Sequence, residues 1–189
     1  MKSKGNIAYS VKGKRKIVSR TKNGHNGEDF VIKSGTYLNE VFKFLPHGRI
    51  DKTETGIGAT TLELNCKRNS IIVQPLRITA ESKAENKDGV LYYGYPKNKQ
   101  QHKLPAISEK EERLLQHLTD KSIKYKKISV VADSLPSLIN ELLKLNVNVF
   151  QEYFLLIDEI DSIQKDSSFR SKMEMCLKEY KRFDPKMRA

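Results

Sequence analysis

Thr53-Glu54-Thr55-Gly56-Ile57-Gly58-Ala59-Thr60-Thr61 and Phe154-Leu155-Leu156-Ile157-Asp158-Glu159-Ile160-Asp161 decide how this chain is read. The first stretch is a glycine-dotted turn leading into an expected helix over Thr61–Cys66. A polyphosphate needs several backbone N–H donors aimed at one place, and glycines let the chain wrap that closely. The positive end of the following helix adds to the attraction. Gly56 and Gly58 suit the wrap, and Thr60 stands where a hydroxyl ligates magnesium. Ala59 stands where such loops carry lysine. The second stretch is an apolar strand ending in adjacent carboxylates. Asp158 is placed to hold a magnesium ion, and Glu159 to orient or deprotonate an attacking water. The plainer alternatives are an ordinary turn and an acidic helix start.

Working outward, short apolar runs alternate with helical patterns. Expected strands are Ile71–Val73, Val90–Tyr95, Ile128–Val131 and Tyr153–Ile157, with a possible short one at Arg49–Asp51. Expected helices are Tyr37–Leu45, Ile78–Ala84, Ser108–Leu118, Leu135–Leu145 and Phe169–Tyr180. Ser108 with Glu111 forms a capping-box pattern, and Ser134 is the expected N-cap of the helix carrying Pro136 in its first turn. This alternation predicts an α/β fold with a mostly parallel sheet and helices on both faces. Ligands in such sheets bind beyond the carboxyl ends of the strands, where both motifs fall.

The 189 residues suffice for one domain with a core, and a mean hydropathy of -0.60 predicts a soluble protein. No apolar run reaches the roughly 18–20 residues needed to span a bilayer, so no membrane partner is expected. No apolar segment follows the basic N-terminus, so no secretory signal is expected. Cys66 and Cys176 are isolated and read as reduced intracellular thiols. The four histidines are scattered, without metal-ligand spacing.

Charge adds a partner class. Net charge is +12, and residues 1–22 hold eight cations and no acid: Lys2, Lys4, Lys12, Lys14, Arg15, Lys16, Arg20 and Lys22. Such an arm favours a nucleic acid backbone. The alternative is a solvated tail without a specific partner. Residues 1–35 are read as this basic arm, with a weak hairpin as an option for 1–28. Residues 36–189 are read as the folded domain.

The two motifs, in this order, resemble motifs I and II of superfamily-two (DEAD/DEAH-like) helicases. Gln74-Pro75-Leu76-Arg77, followed by Ala80, is similar to motif Ia, whose proline and arginine contact the nucleic acid backbone. Tyr93-Gly94 falls where the third strand often ends, and Val131–Leu135 falls where motif Ib lies, without its Thr-Pro-Gly. The likeness covers residues 36–189. The loop form with alanine and two threonines is similar to helicase-like proteins of phages and mobile elements.

The resemblance implies a RecA-like P-loop NTPase lobe with ATP and Mg2+ as cofactors. The implied nucleotide-binding residues are Lys52, Thr53, Thr55, Gly56, Ile57, Gly58, Ala59, Thr60 and Thr61. Thr60 and Asp158 would hold the metal, with Asp158 and Glu159 catalytic. Nucleic acid, DNA or RNA, would meet Pro75, Arg77, the arm (Lys12, Lys14, Arg15, Lys16) and a loop around Lys97, Lys99 and Lys103. A cytoplasmic setting, in a bacterial cell or phage-infected host, is implied as well.

Two departures qualify the expectation. Ala59 cannot supply the lysine's contact with the β- and γ-phosphates. Either Lys52 folds back to supply it, or the loop binds or hydrolyses nucleotide weakly. Neither motif III nor a second RecA-like lobe with its arginine finger is found, so that lobe is an expected partner in cis or trans. The lone lobe is expected to turn over slowly or not at all. The competing readings are a nucleic-acid-binding scaffold that keeps the fold without hydrolysis, and another P-loop class such as a nucleotide kinase or packaging ATPase.

Overall fold

The structure is a computed structural model, and it describes residues 17–22, 28–48, 50, 56–94, 109–158 and 170–189. The chain divides into two compact units, Met1–Cys66 and Lys67–Ala189.

In the first unit, strands β1 (Ile17–Lys22) and β2 (Glu28–Ile32) pair antiparallel, with the register shifting between Ile17 and Ser19. Helix α1 covers only Leu38–Val41. Its start is fixed by Glu40, whose Oε1 accepts the Tyr37 N–H at 2.9 Å, one half of a capping box. The expected helix over Tyr37–Leu45 is therefore too long. Phe42 is already extended, with φ -111° and ψ 146°, and Pro46 disfavours helical geometry at Leu45. The apolar positions Leu38, Val41, Phe42 and Leu45 are all buried nonetheless. Helix α2 covers Ala59–Asn65, two residues earlier than expected, and packs on α1. The stretch Arg49–Asp51 lies outside the described residues except Ile50, which is in no strand.

The second unit is α/β. Its strands are β3 (Ser70–Gln74), β4 (Val90–Tyr92), β5 (Lys127–Val131) and β6 (Phe154–Ile157). They form one sheet in the order β4-β5-β3-β6. Every pairing is parallel, with Ile71 beside Ile128 and Leu155, and Ile128 beside Leu91. Strands β3 and β6 are buried along their whole length, as expected for a parallel sheet covered on both faces. Strand β4 stops at Tyr92, short of the expected Tyr95. Gly94 follows, and a Cβ there would lie 2.4 Å from the Tyr92 hydroxyl.

The helices are α3 (Arg77–Glu85), α4 (Glu109–Thr119), α5 (Leu135–Lys144), α6 (Val149–Glu152) and α7 (Arg170–Arg182). Side chains alternate along a strand, so adjacent residues mark opposite faces. Ile128 and Val130 join the main core with Leu114, Leu135, Leu138, Ile139, Leu142 and Cys176, which places α4, α5 and α7 on one face. Ser129, between them, donates from Oγ to the Ala80 carbonyl at 2.9 Å, which places α3 on the other. The connection leaving β3 therefore runs on one face and that leaving β5 on the opposite one. Such a parting opens a crevice at the carboxyl ends of the strands.

Helix α5 begins as expected and contains Pro136 in its first turn, but Ser134 makes no side-chain cap bond. Ser134 is helical, at φ -94° and ψ -8°, because a 3-10 turn over Ala132–Ser134 leads into α5. A capping hydroxyl needs an extended backbone, and Pro136 has no N–H to accept. Beyond α7, a 3-10 turn (Pro185–Met187) brings the chain back to the sheet. Arg188 bridges Leu155 in parallel, Ala189 N–H donates to the Leu155 carbonyl at 2.9 Å, and Ile157 N–H donates to the Ala189 carbonyl at 2.9 Å.

Candidate functional site

In the second unit the site is built from the ends of β3 and β6. Asp158 is the first residue after β6 and is 7% exposed. Its backbone stays in register, donating to the Val73 carbonyl at 3.0 Å. Its Oδ2 accepts from Gln74 Nε2 at 3.5 Å. Four buried apolar residues, Phe154–Ile157, lock the strand and so fix where the carboxylate emerges. A hard carboxylate oxygen held this way suits Mg2+, which takes one or two carboxylates and fills its remaining positions with water and phosphate. Among the described residues no group of three His, Cys, Asp or Glu side chains gathers to hold a metal. Asp158 brings one carboxylate oxygen that would suit magnesium held on a phosphate. Glu159 lies outside the described residues.

The motif Ia likeness includes Gln74 but gives it no role at the site. Gln74 is 1% exposed and is the amide that follows the apolar Ile71-Ile72-Val73 of its strand. A buried amide ending such a strand needs a polar partner, and that requirement was the available signal.

The first unit holds the glycine-dotted loop. Gly56 and Gly58 have φ of +75° and +87°, the left-handed region that glycine enters without strain. Gly58 is the N-cap of α2, and its carbonyl accepts the Leu62 N–H at 2.8 Å. The Ile57 carbonyl accepts the Leu38 N–H at 2.9 Å, which tethers the turn to α1. Ala59 and Thr60 are buried, and Thr61 is exposed. Helix α2 has seven residues and no side-chain cap. Lys52, Thr53 and Thr55 lie outside the described residues.

Of the expected nucleic-acid residues, Pro75 and Arg77 are described. Pro75 ends β3 and Arg77 opens α3. The Arg77 side chain is half exposed and donates from Nε and Nη2 to Glu81 Oε1 at 3.4 and 3.2 Å. Burial raises the Tyr92 pKa above the ordinary phenol value, with Arg77 pulling the other way. Lys12, Lys14, Arg15 and Lys16, and the loop with Lys97, Lys99 and Lys103, fall outside the described residues.

Both cysteines are free and buried. Cys66 Sγ donates to the backbone carbonyl and Oε1 of the buried Glu63, each at 3.1 Å. Burial pushes the Cys176 thiol up to about 12, so it is inert as a nucleophile. No described helix is long and apolar enough to cross a membrane. No family model, curated protein or solved structure matches the chain.

Proposed function

We propose that this chain is an ATP-binding, helicase-like motor lobe of RecA type that acts on nucleic acid. One observation carries the reading. Asp158 is buried at the carboxyl end of β6, beside Gln74 of β3, in an all-parallel sheet. That is where an α/β sheet places its ligand, and where a carboxylate can hold magnesium on a phosphate. The left-handed glycines at 56 and 58 support a phosphate-wrapping turn. Pro75 and Arg77, at the head of α3, supply a backbone contact for nucleic acid that reads no sequence. A second RecA-like lobe completes the motor.

Ala59 favours a second reading, a hydrolysis-deficient scaffold that binds nucleic acid. Its methyl is buried at the first position of α2, and it brings no charge to a phosphate.

Coupling separates the two. Oligonucleotide affinity is measured without nucleotide, with ADP, and with a non-hydrolysable ATP analogue, each with magnesium. A motor lobe changes affinity severalfold between the states. Affinity that ignores nucleotide altogether supports the scaffold and removes the motor reading.

A further inference from the structure

The second unit carries a cationic face at the end of the sheet opposite the proposed nucleotide site. Two loops enter strands there, Lys67–Asn69 before β3 and residues 120–126 before β5. Together they hold Lys67, Arg68, Lys121, Lys124 and Lys126 against one carboxylate, Asp120. Of the other two strand entries at this end, residues 86–89 before β4 add Lys87 and Asp88, and residues 148–153 before β6 add Glu152, so cations still outnumber acids.

The amino-end cations sit on a fixed frame. Asn69 Oδ1 accepts the Lys126 N–H at 2.9 Å, and Ser70 N–H donates to the Lys126 carbonyl at 2.9 Å. These bonds pin the two loops side by side. The Arg68 guanidinium stacks 3.3 Å from the centroid of the buried Phe154 ring. Lys126 Nζ donates to the Asp120 carbonyl. The Asp120 carboxylate is occupied by the N–H and hydroxyl of Ser122, at 2.8 and 2.7 Å. Lys67, Lys121 and Lys124 are exposed. Lys124 Nζ lies 5.5 Å from the centroid of Tyr125, the aromatic interleaved among the cations.

We propose that this amino-end rim is a second contact surface for the phosphate backbone of a nucleic acid, separate from the Pro75–Arg77 contact on the opposite rim. Exposed lysines on two loops bonded to each other release counterions from a phosphate chain with little ordering of the backbone. Tyr125, half buried, adds an aromatic ring on which a base can stack. An anionic membrane would use the same charges but also wants exposed apolar residues beside them. The large exposed apolar side chains of the described residues are Val31, Tyr37, Leu76, Ile78, Leu115, Leu143, Leu145 and Met175, and none lies in these loops.

The test uses the full chain and three proteins. They are the wild type, the rim variant Lys67→Gln/Lys121→Gln/Lys124→Gln, and the arm variant Lys12→Gln/Lys14→Gln/Arg15→Gln/Lys16→Gln. Fluorescence anisotropy with a labelled single strand of about 20 nucleotides is followed across a salt series. Loss of three phosphate contacts makes the slope of log affinity against log salt shallower by about 2, with affinity down about tenfold or more at 0.1 M salt. Exposed lysines leave folding intact, which circular dichroism checks. An unchanged slope, with affinity within about twofold of wild type, overturns the proposal. So does a rim variant that loses only its binding to phosphatidylserine vesicles. The arm variant reads the N-terminal contact separately, and Asp158→Ala reads the nucleotide site, so the failure of either leaves this result interpretable.

Discussion

His117 makes stability depend on pH in a way the structure fixes. The imidazole sits on the inner side of α4, 8% exposed, and its Nε2 is buried without a hydrogen-bond partner. Its pKa is lowered from 6.5 to about 4, chiefly by burial and then by Lys126, against Asp120 and a hydrogen bond to the Lys127 backbone. The native state therefore holds His117 neutral, and the unfolded chain takes up a proton first as pH falls. Its contribution is complete above pH 6.5 and is lost as pH falls toward 4. The shift corresponds to about 3 kcal/mol if the ring is fully sealed, and to about 1–2 kcal/mol once solvent screening near the surface is allowed for. In His117→Leu the titrating group is gone. Urea unfolding of both proteins, at pH 7 and again near pH 4.5, gives the difference directly. The wild type should lose about 1–2 kcal/mol more than the variant over that interval. Parallel losses would refute the argument, because carboxylates common to both proteins cancel.

Three further outcomes follow from local geometry. Gly58→Ala places a side chain at φ +87°, with its Cβ 3.5 Å from the Tyr37 ring, and should cost about 1–2 kcal/mol in thermal unfolding; no loss would mean the turn is not held left-handed. Gly94→Ala drives a methyl into the Tyr92 ring and should cost about 1–2 kcal/mol, most of it absent in a Tyr92→Val background; equal costs in both backgrounds would remove the ring as the cause. Leu138→Ala, in the fully buried stripe of α5, should cost about 2–5 kcal/mol in urea unfolding, and a cost under about 1 kcal/mol would mean that this face is not packed as described.

Much of the second unit is legible from its residues. Ile71–Val73, Ile128–Val131 and Tyr153–Ile157 are short, largely apolar and β-branched or aromatic runs, the pattern of strands buried on both faces. The boundaries of α3, α4, α5 and α7 lie within two residues of the expected ones, and the clearest stripe is that of α5, which buries Leu135, Leu138, Ile139 and Leu142. Four-residue α6 is too short to show a period; the weak hairpin offered as an option for residues 1–28 corresponds to the β1–β2 pair, which runs on to Ile32. Helix α1 shows the limit from the other side. Leu38, Val41, Phe42 and Leu45 have helical spacing, yet an extended chain after Val41 buries them as well.

Within the candidate site, Asp158 is readable because a carboxylate directly after an apolar strand must emerge at the sheet's carboxyl end. Gln74 is harder to find, since its role depends on strand order, and β3 and β6 are 80 residues apart in sequence yet adjacent in space. The amino-end rim is invisible to a linear scan for the same reason. Lys67 precedes the first strand of the sheet and Lys124 lies on the crossover from β4 to β5, and only the parallel pairing of β3 with β5 brings their loops together.

The central claim is that Asp158 holds the magnesium of a bound nucleotide. Calorimetric titration of ATP into wild type, Lys52→Ala and Asp158→Ala, with and without magnesium, tests it most directly. The account predicts magnesium-dependent binding by wild type, weakened by about tenfold or more and made insensitive to magnesium in Asp158→Ala. Loss in Lys52→Ala as well would identify the relocated lysine. Absent binding in wild type, or wild-type affinity with full magnesium dependence in Asp158→Ala, would contradict it.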